Sequence, residues 1–446
     1  MNFLSKKLTQ VQIIALGFAL VILTGAFLLS LPMSSSTGES TPFLTSLFTA
    51  TSATCVTGLI LKDTCTYFSL TGQLIIMILI QIGGLGFMSI GVFFAIYLRR
   101  KIGLRVRGIL QESVNSLKLG GIVRMVRKIV FGTIFFESVG AVLLSIRFIP
   151  EFGVKRGIYY GVFHSISAFC NGGFDLMGVR EPYSSLTSYV GDPLVNGVIM
   201  SLIIIGGIGF FVWTDIAEHK MDMKHYTLHT KIVLLATVSL IAGGALIFFF
   251  LEKDFLLKGL SGKEVFLASL FHSVTMRTAG FNTTDTGNLR SVTQFFSSIW
   301  MFIGGSPGST AGGIKTTTMM TLLLFARMNL KRTRDPSIFG RRLDDEDLRK
   351  ASVVITTNMA LVIVSTILIS GIENLPVSDV LFETSSAMAT VGMSTGITRS
   401  LGKFSQCILI FLMYCGRIGS LTFALSFRGH KITVDVKNPK EDIMIG

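Results

Sequence analysis

One segment occurs four times in this chain, and any fold must give all four copies equivalent places. The first copy is Phe48 to Gly58, FTATSATCVTG, and the second is Phe163 to Gly173, FHSISAFCNGG. The fourth is Phe382 to Gly392, FETSSAMATVG. In these three, Phe and Gly are ten positions apart, and Ser52, Ser167 and Ser386 each stand four after the Phe, followed by Ala. The third copy, Phe271 to Gly280 (FHSVTMRTAG), is one residue shorter, with Thr275 and Met276 at those two places. Each copy is a half-apolar run ending in small polar residues and a glycine, where the backbone can take conformations closed to other residues. Four such elements in one chain predict a ring built by internal repetition.

The ring belongs in a membrane. Half of the 446 residues are hydrophobic and only 15% are charged, against about 25% charged in a soluble domain. Two long apolar runs flank each repeated segment. The outer runs cover about 11–31, 129–146, 230–251 and 351–371; the inner ones cover about 72–98, 193–213, 292–325 and 404–427. These lengths predict eight spanning helices, with the four repeated segments entering only partway. The expected fold is therefore an all-α membrane protein, four outer helix–pore helix–inner helix repeats around one central pore with pseudo-fourfold symmetry. The repeats divide the chain into 1–100, 101–218, 219–328 and 329–446. The first apolar run is longer than a signal peptide's and reads as a spanning helix. The five cysteines show no paired or metal spacing.

The inner runs carry a landmark of their own. Gly83-Gly84, Gly206-Gly207 and Gly304-Gly305 each follow an Ile, and Cys415-Gly416-Arg417 stands at the fourth place. Small residues there allow close helix packing. Lys and Arg decide the orientation: 26 lie in segments on the side of the termini and 12 on the other. The positive-inside bias makes the first side, with both termini, cytoplasmic. The net charge of +14 is thereby placed beside membrane helices, and a nucleic-acid role has no place. Asp63, Asp175, Glu181, Asp285, Asp379 and Glu383 fall at the external entrances. Acidic groups at an outer mouth would concentrate cations, although each alone also reads as an ordinary loop charge.

A dehydrated cation needs oxygens to replace its water, and backbone carbonyls supply them without net charge. The candidate filter is Val56, Thr57 and Gly58; Asn171, Gly172 and Gly173; Thr278, Ala279 and Gly280; Thr390, Val391 and Gly392. Each triplet follows a short helix whose C-terminal end carries partial negative charge. No copy reads TVGYG, so selection is expected to rest mainly on one layer, Gly58, Gly173, Gly280 and Gly392. The third inner run is interrupted by Gly304, Gly305, Ser306, Pro307, Gly308, Ser309, Thr310, Ala311, Gly312, Gly313, Ile314 and Lys315. A continuous helix through it would cost about 1 kcal/mol per glycine and about 3 for the proline. A loop inside the membrane beneath the filter is expected instead, and broken helices at the midplane mark transport pathways. The stretch misses the phosphate-binding pattern because Ile314 separates Gly313 from Lys315.

Arg417 is an intramembrane cation, which by default marks function. It reads as a gate residue hydrogen-bonded to the 304–315 loop, or as a static partner of Glu137, the acidic residue inside an outer run. His164 and His272 occupy matching places, with Glu383 at the fourth, and read as beginning the pore helices. A metal site would need them to converge in open coordination geometry; structural hydrogen bonding is the simpler reading. An intramembrane metalloenzyme and a non-conducting membrane scaffold are the rival functions.

TMRTAGFNT (275–283), GGSPGSTAGGIKTTT (304–318), one glycine per filter stretch and the fourfold plan resemble the Trk/Ktr/HKT superfamily of cation transporters over nearly the whole chain. With no extra helices before the first repeat, the chain is similar to the membrane subunits of bacterial Ktr K⁺ uptake systems, of a Gram-positive type. The resemblance implies a non-enzymatic K⁺ pore in the cell membrane, with K⁺ held at the filter residues and Na⁺ often stimulating uptake. It also implies a homodimer among membrane lipids, seated on a cytosolic octameric KtrA-type ring that binds ATP, ADP or NAD(H). In the family the intramembrane loop gates the pore together with the arginine of the last helix, here Arg417. No nucleotide site is expected in this chain itself.

Overall fold

The computed structural model describes residues 9–86, 121–220, 222–331, 337–339, 341–342 and 344–419, with a few isolated positions between 89 and 111. The fold is almost wholly helical, with one short β pair, Ser337–Ile338 against Arg341–Arg342.

The four outer helices are Gln10–Ser30, Ile122–Phe152, Leu228–Glu252 and Asp345–Glu373. All are long and apolar enough to cross a membrane. Their starts follow local chemistry. Thr9 and Gln12 form a reciprocal capping box, Thr227 accepts from the amide of Thr230, and Asp344 accepts from that of Glu346. Each cap satisfies an amide that the helix leaves unpaired. On the first outer helix, Leu16, Leu20, Leu23 and Phe27 are more than half exposed, while Ile14, Phe18, Ile22, Gly25 and Leu29 are buried. An apolar stripe facing outward over a packed inner face is what lipid solvation selects.

The short helices are Phe43–Thr54, Val154–Phe169, Gly262–Thr275 and Val377–Ala389. They begin upstream of the repeated Phe, so the repeated segment is the C-terminal half of each helix plus the filter stretch. His164 and His272 therefore lie in the C-terminal halves of their helices and not at their starts. At 1.5 Å per residue, these helices are about 18–24 Å long and do not cross a bilayer. Their buried faces mix apolar and polar groups: in the first helix Phe48, Ala50 and Ala53 are buried beside Ser46, Thr49, Thr51, Ser52 and Thr54.

The inner helices correct the sequence reading. They run Leu70–Leu85, Pro193–Gly207, Ser291–Phe302 and Lys403–Ile418. All four stop partway, and not the third alone. The first and fourth end at Gly86 (φ +79°) and Gly419 (φ +93°), and most of their expected continuations lie outside the described residues. The second breaks at Ile208 and Gly209 (φ +98°), and a new helix, Phe210–His219, leaves at 95°. Trp213 Nε1 donates to Ile205 O at 2.9 Å, satisfying a carbonyl that the break leaves free. The third breaks over 303–315 as expected and resumes as Thr316–Lys331.

The inner-helix glycines allow this packing. A β-carbon at Gly83, Gly206 or Gly416 would collide with the carbonyl oxygen of Thr54, Phe169 or Met388, at the end of the short helix of the same repeat. In the third repeat the equivalent Gly304 instead faces Gly312 O of the loop. The ends of the short helices are thus pressed against the backbone of the inner helices, close around the centre.

Candidate functional site: a four-segment ring above an intramembrane loop

Each short helix ends in a sharp reversal. Val56, Asn171, Thr278 and Thr390, two residues before the glycine that closes each repeated segment, have φ of +58°, +59°, +66° and +52°. Left-handed backbone at non-glycine residues costs about 1–3 kcal/mol each and persists only where the surroundings hold it. Here the amides are tied back to the short helices. Thr57 N donates to Ser52 O at 2.8 Å, Gly172 N to Ser167 O at 2.6 Å, Val391 N to Ser386 O at 2.8 Å and Ala279 N to Thr275 O at 3.0 Å. Gly58 N and Gly392 N donate to the hydroxyls of Ser52 and Ser386, both at 3.0 Å. In the third repeat, the Thr275 hydroxyl donates to Phe281 O at 2.7 Å. The serine seen in three sequence copies thus clamps the reversal in the first and fourth, and Thr275 clamps the shorter copy from the other side. The amides of the reversals are thereby engaged within their own repeats.

The four glycines close a ring. Their φ values are +92°, +67°, +83° and +91° for Gly58, Gly173, Gly280 and Gly392. A β-carbon at Gly58 would lie 2.8 Å from Gly172 O, at Gly173 2.7 Å from Ala279 O, and at Gly280 2.6 Å from Val391 O. One at Gly392 would collide with Thr57 O. Each glycine therefore abuts the carbonyl preceding the glycine of the next repeat, and the fourth returns to the first. Both conformation and space exclude a side chain at these places. The four glycines line a cavity of about 560 Å³, whose walls also include Asp175, Glu181, Asp285 and Arg399. Arg399 stacks over the Tyr183 ring at 4.1 Å.

The other entrance carboxylates have local duties. Asp63 caps the one-turn helix Thr64–Tyr67 through Cys65 N and Thr66 N and also accepts from Tyr183 N at 2.9 Å. Glu383 is buried and accepts from the hydroxyls of Ser394 and Thr398 and from Thr395 N. Asp379 lies in the first turn of its short helix.

Beneath the ring lies the 304–315 loop, wedged into the break of the second inner helix. Ser306 N donates to Gly207 O at 3.0 Å, Thr310 N to Gly206 O at 3.2 Å, and Phe210 N to Gly308 O at 2.7 Å. Gly304 N pairs with Ile314 O at 2.8 Å, closing the loop's base. Lys315 Nζ turns inward to Ala311 O at 2.8 Å and Gly312 O at 3.4 Å. Arg417 donates to Thr310 O of the loop and to Gly83 O and Gly84 O of the first inner helix. It does not meet Glu137, which accepts from Gln81 and the Cys170 thiol. A guanidinium that donates to three carbonyls here ties the loop to the first inner helix.

The histidines do not share a site. His164 bridges within its repeat, from Tyr160 O at 2.7 Å to the amide of Leu176 at 3.3 Å. His272 stacks on Phe248 at 3.9 Å and reaches Ser297 Oγ at 3.3 Å. Among the described residues, no group of three or more His, Cys, Asp or Glu is placed to hold a metal. One buried cation went unassigned in the sequence reading. Arg277 is 4% exposed, and its Nε and Nη2 have no hydrogen-bond partner among the described residues. It stands where Cys55, Cys170 and Ala389 stand in the other repeats, and that mismatch was the available signal.

Comparison with known proteins agrees with this architecture. The chain is 42% identical to Ktr system potassium uptake protein B of Bacillus subtilis over 423 residues, covering 94% of this chain and 93% of that protein. It is 38% identical to the potassium/sodium uptake protein NtpJ of Enterococcus hirae, over 99% of this chain and 98% of that protein. The fold matches the crystal structure of the potassium transporter TrkH from Vibrio parahaemolyticus with a TM-score of 0.74 at 17% identity, covering 94% of this chain and 84% of that one. Residues 9–432 match the TrkH family, described as cation transport protein, and the chain belongs to that family.

Proposed function

We propose that the chain is the ion-translocating subunit of a K⁺ uptake system in the cell membrane. K⁺ is selected by backbone carbonyls around Gly58, Gly173, Gly280 and Gly392 and passes inward when the 304–315 loop, pinned by Arg417, moves aside. The ring of glycines, each against the next repeat's carbonyl, is the observation that supports this reading most directly. Carbonyl rings replace hydration oxygens without adding net charge. In this reading the protein is a homodimer in the lipid bilayer with both termini cytoplasmic. A cytosolic KtrA-type ring regulates it, and nucleotide acts only through that ring. Na⁺ stimulates the uptake of K⁺.

The test is ⁸⁶Rb⁺ or K⁺ uptake into K⁺-depleted cells lacking their own uptake systems, with the chain expressed alone and then with a KtrA-type partner. Saturable uptake that prefers K⁺ over Na⁺ and rises with the partner is expected. No uptake in either case, with the protein present in the membrane, would remove the transport reading.

A further inference from the structure

The residues two before the ring glycines are equivalent by position but not by chemistry. Val56 carries no polar side-chain atom and packs against Gly83. The Thr390 hydroxyl has no hydrogen-bond partner among the described residues and lies against Gly312 of the loop. Asn171 differs from both. It is 1% exposed, and its amide reaches in two directions at once. Nδ2 donates across the repeat boundary to Arg277 O at 3.4 Å and Thr278 Oγ1 at 3.3 Å. Oδ1 faces downward and accepts from Thr310 Oγ1 at 3.4 Å. The same Thr310 hydroxyl is shared with Phe169 O at 3.0 Å, and the Thr310 carbonyl is the one that Arg417 holds.

We propose that Asn171 is a positioning residue that couples the intramembrane loop to the ring, so that ion preference depends on where the loop sits. The inference rests on the gate and filter reading above. Its physical basis is a chain of contacts running Arg417, Thr310, Asn171, Thr278. Thr310 belongs to the loop, whereas Asn171 and Thr278 belong to two neighbouring reversals of the ring. Both reversals hold left-handed backbone, a conformation that needs external support. With the loop in place, Thr310 fixes the Asn171 carboxamide, which in turn fixes Thr278 one residue before the Ala279 carbonyl that abuts Gly173. Departure of the loop takes away Thr310, and the second and third quarters of the ring lose a shared brace. The first quarter has no such link, because Val56 offers no polar atom. At 3.3–3.4 Å these hydrogen bonds are longer than the usual range and therefore weak, which suits a contact that must be broken in each opening.

The experiment compares Thr310→Val, Asn171→Leu and the double variant in proteoliposomes, measuring total ⁸⁶Rb⁺ flux and the K⁺-to-Na⁺ flux ratio separately. Thr310→Val keeps the shape of the side chain and removes the hydroxyl; Thr310→Ser retains it. The expected result is a K⁺-to-Na⁺ ratio lowered at least threefold by either single variant. The double variant should fall no further than the larger single effect, since both cut one chain of contacts, and Thr310→Ser should restore the wild-type ratio. Raised flux at an unchanged ratio in Thr310→Val would overturn the coupling and leave the gate standing. Singles whose effects multiply in the double variant would also overturn it, making Asn171 a filter support independent of the loop. Unchanged flux in both Thr310→Val and Arg417→Ala, with unchanged ratios, would overturn the coupling and the gate together. Should Asn171→Leu not reach the membrane, Asn171→Ser combined with Thr310→Val decides by the same rule.

Discussion

Replacing Arg417 with alanine separates a gate from a static support. Of the three carbonyls that the guanidinium holds, only Thr310 O lies in the loop; Gly83 O and Gly84 O lie in the first inner helix. The substitution therefore removes one charge-assisted hydrogen bond between loop and wall. Such a bond contributes about 1.5–3 kcal/mol. At about 1.4 kcal/mol per tenfold change, the ratio of closed to open loop should fall roughly 10- to 150-fold. The loop does not come away altogether, because Gly206 O, Gly207 O and Phe210 N still hold it. The assay is ⁸⁶Rb⁺ flux in proteoliposomes, with gel filtration confirming an intact protein. Flux should rise by that factor until the open form predominates. Arg417→Lys keeps the charge but loses the planar fork, and should fall between wild type and alanine. Unaltered flux in both variants, from protein that remains folded, would refute the gate and leave Arg417 a packing residue.

Three further outcomes follow from the ring. Gly58→Ser or Gly392→Ser places a side chain against Gly172 O or Thr57 O at positive φ, and should raise Na⁺ permeation relative to K⁺ in ion-competition flux assays. Ser386→Ala orphans the buried Gly392 amide at a cost of about 1–3 kcal/mol; a lowered midpoint of thermal unfolding in detergent and weaker K⁺ preference are expected, whereas Ser167→Ala, whose hydroxyl has no partner among the described residues, should be nearly silent. His164→Ala frees the amide of Leu176 and should lower thermal stability without making uptake sensitive to chelators; chelator-sensitive uptake in the wild type would revive the metal reading.

Much of this architecture was legible because it repeats. The Phe-to-Gly interval, the Ser four after the Phe and the Ile-Gly-Gly landmark together located the ring, the short helices and the inner-helix contacts. The density of glycine and proline at 304–315 located the loop. The breaks at Gly86, Gly209 and Gly419 were not legible, since the apolar run continues through each and a single glycine in a helix costs only about 1 kcal/mol. What breaks the second inner helix is tertiary: the loop occupies the bend, and Phe210 N finds its acceptor at Gly308 O. The starts of the short helices were misplaced because their N-terminal halves, such as Val154 to Val162, share no pattern with the other copies. His164 and His272 consequently read as terminal when they are internal. The serine clamps were visible as a repeat, but their task depends on a backbone reversal that only coordinates reveal.

A ring assembled from one chain has a consequence that a ring of four identical subunits lacks. In the latter, one codon alters every quarter at once, and a change too severe for the whole ring cannot be tried in part. Here Val56, Asn171, Thr278 and Thr390 occupy equivalent places with three kinds of side chain, and each quarter can drift alone while the other three keep the opening in shape. In the proposed reading ion preference is thus adjustable in quarter steps, and different quarters can take up different mechanical duties without leaving the ring.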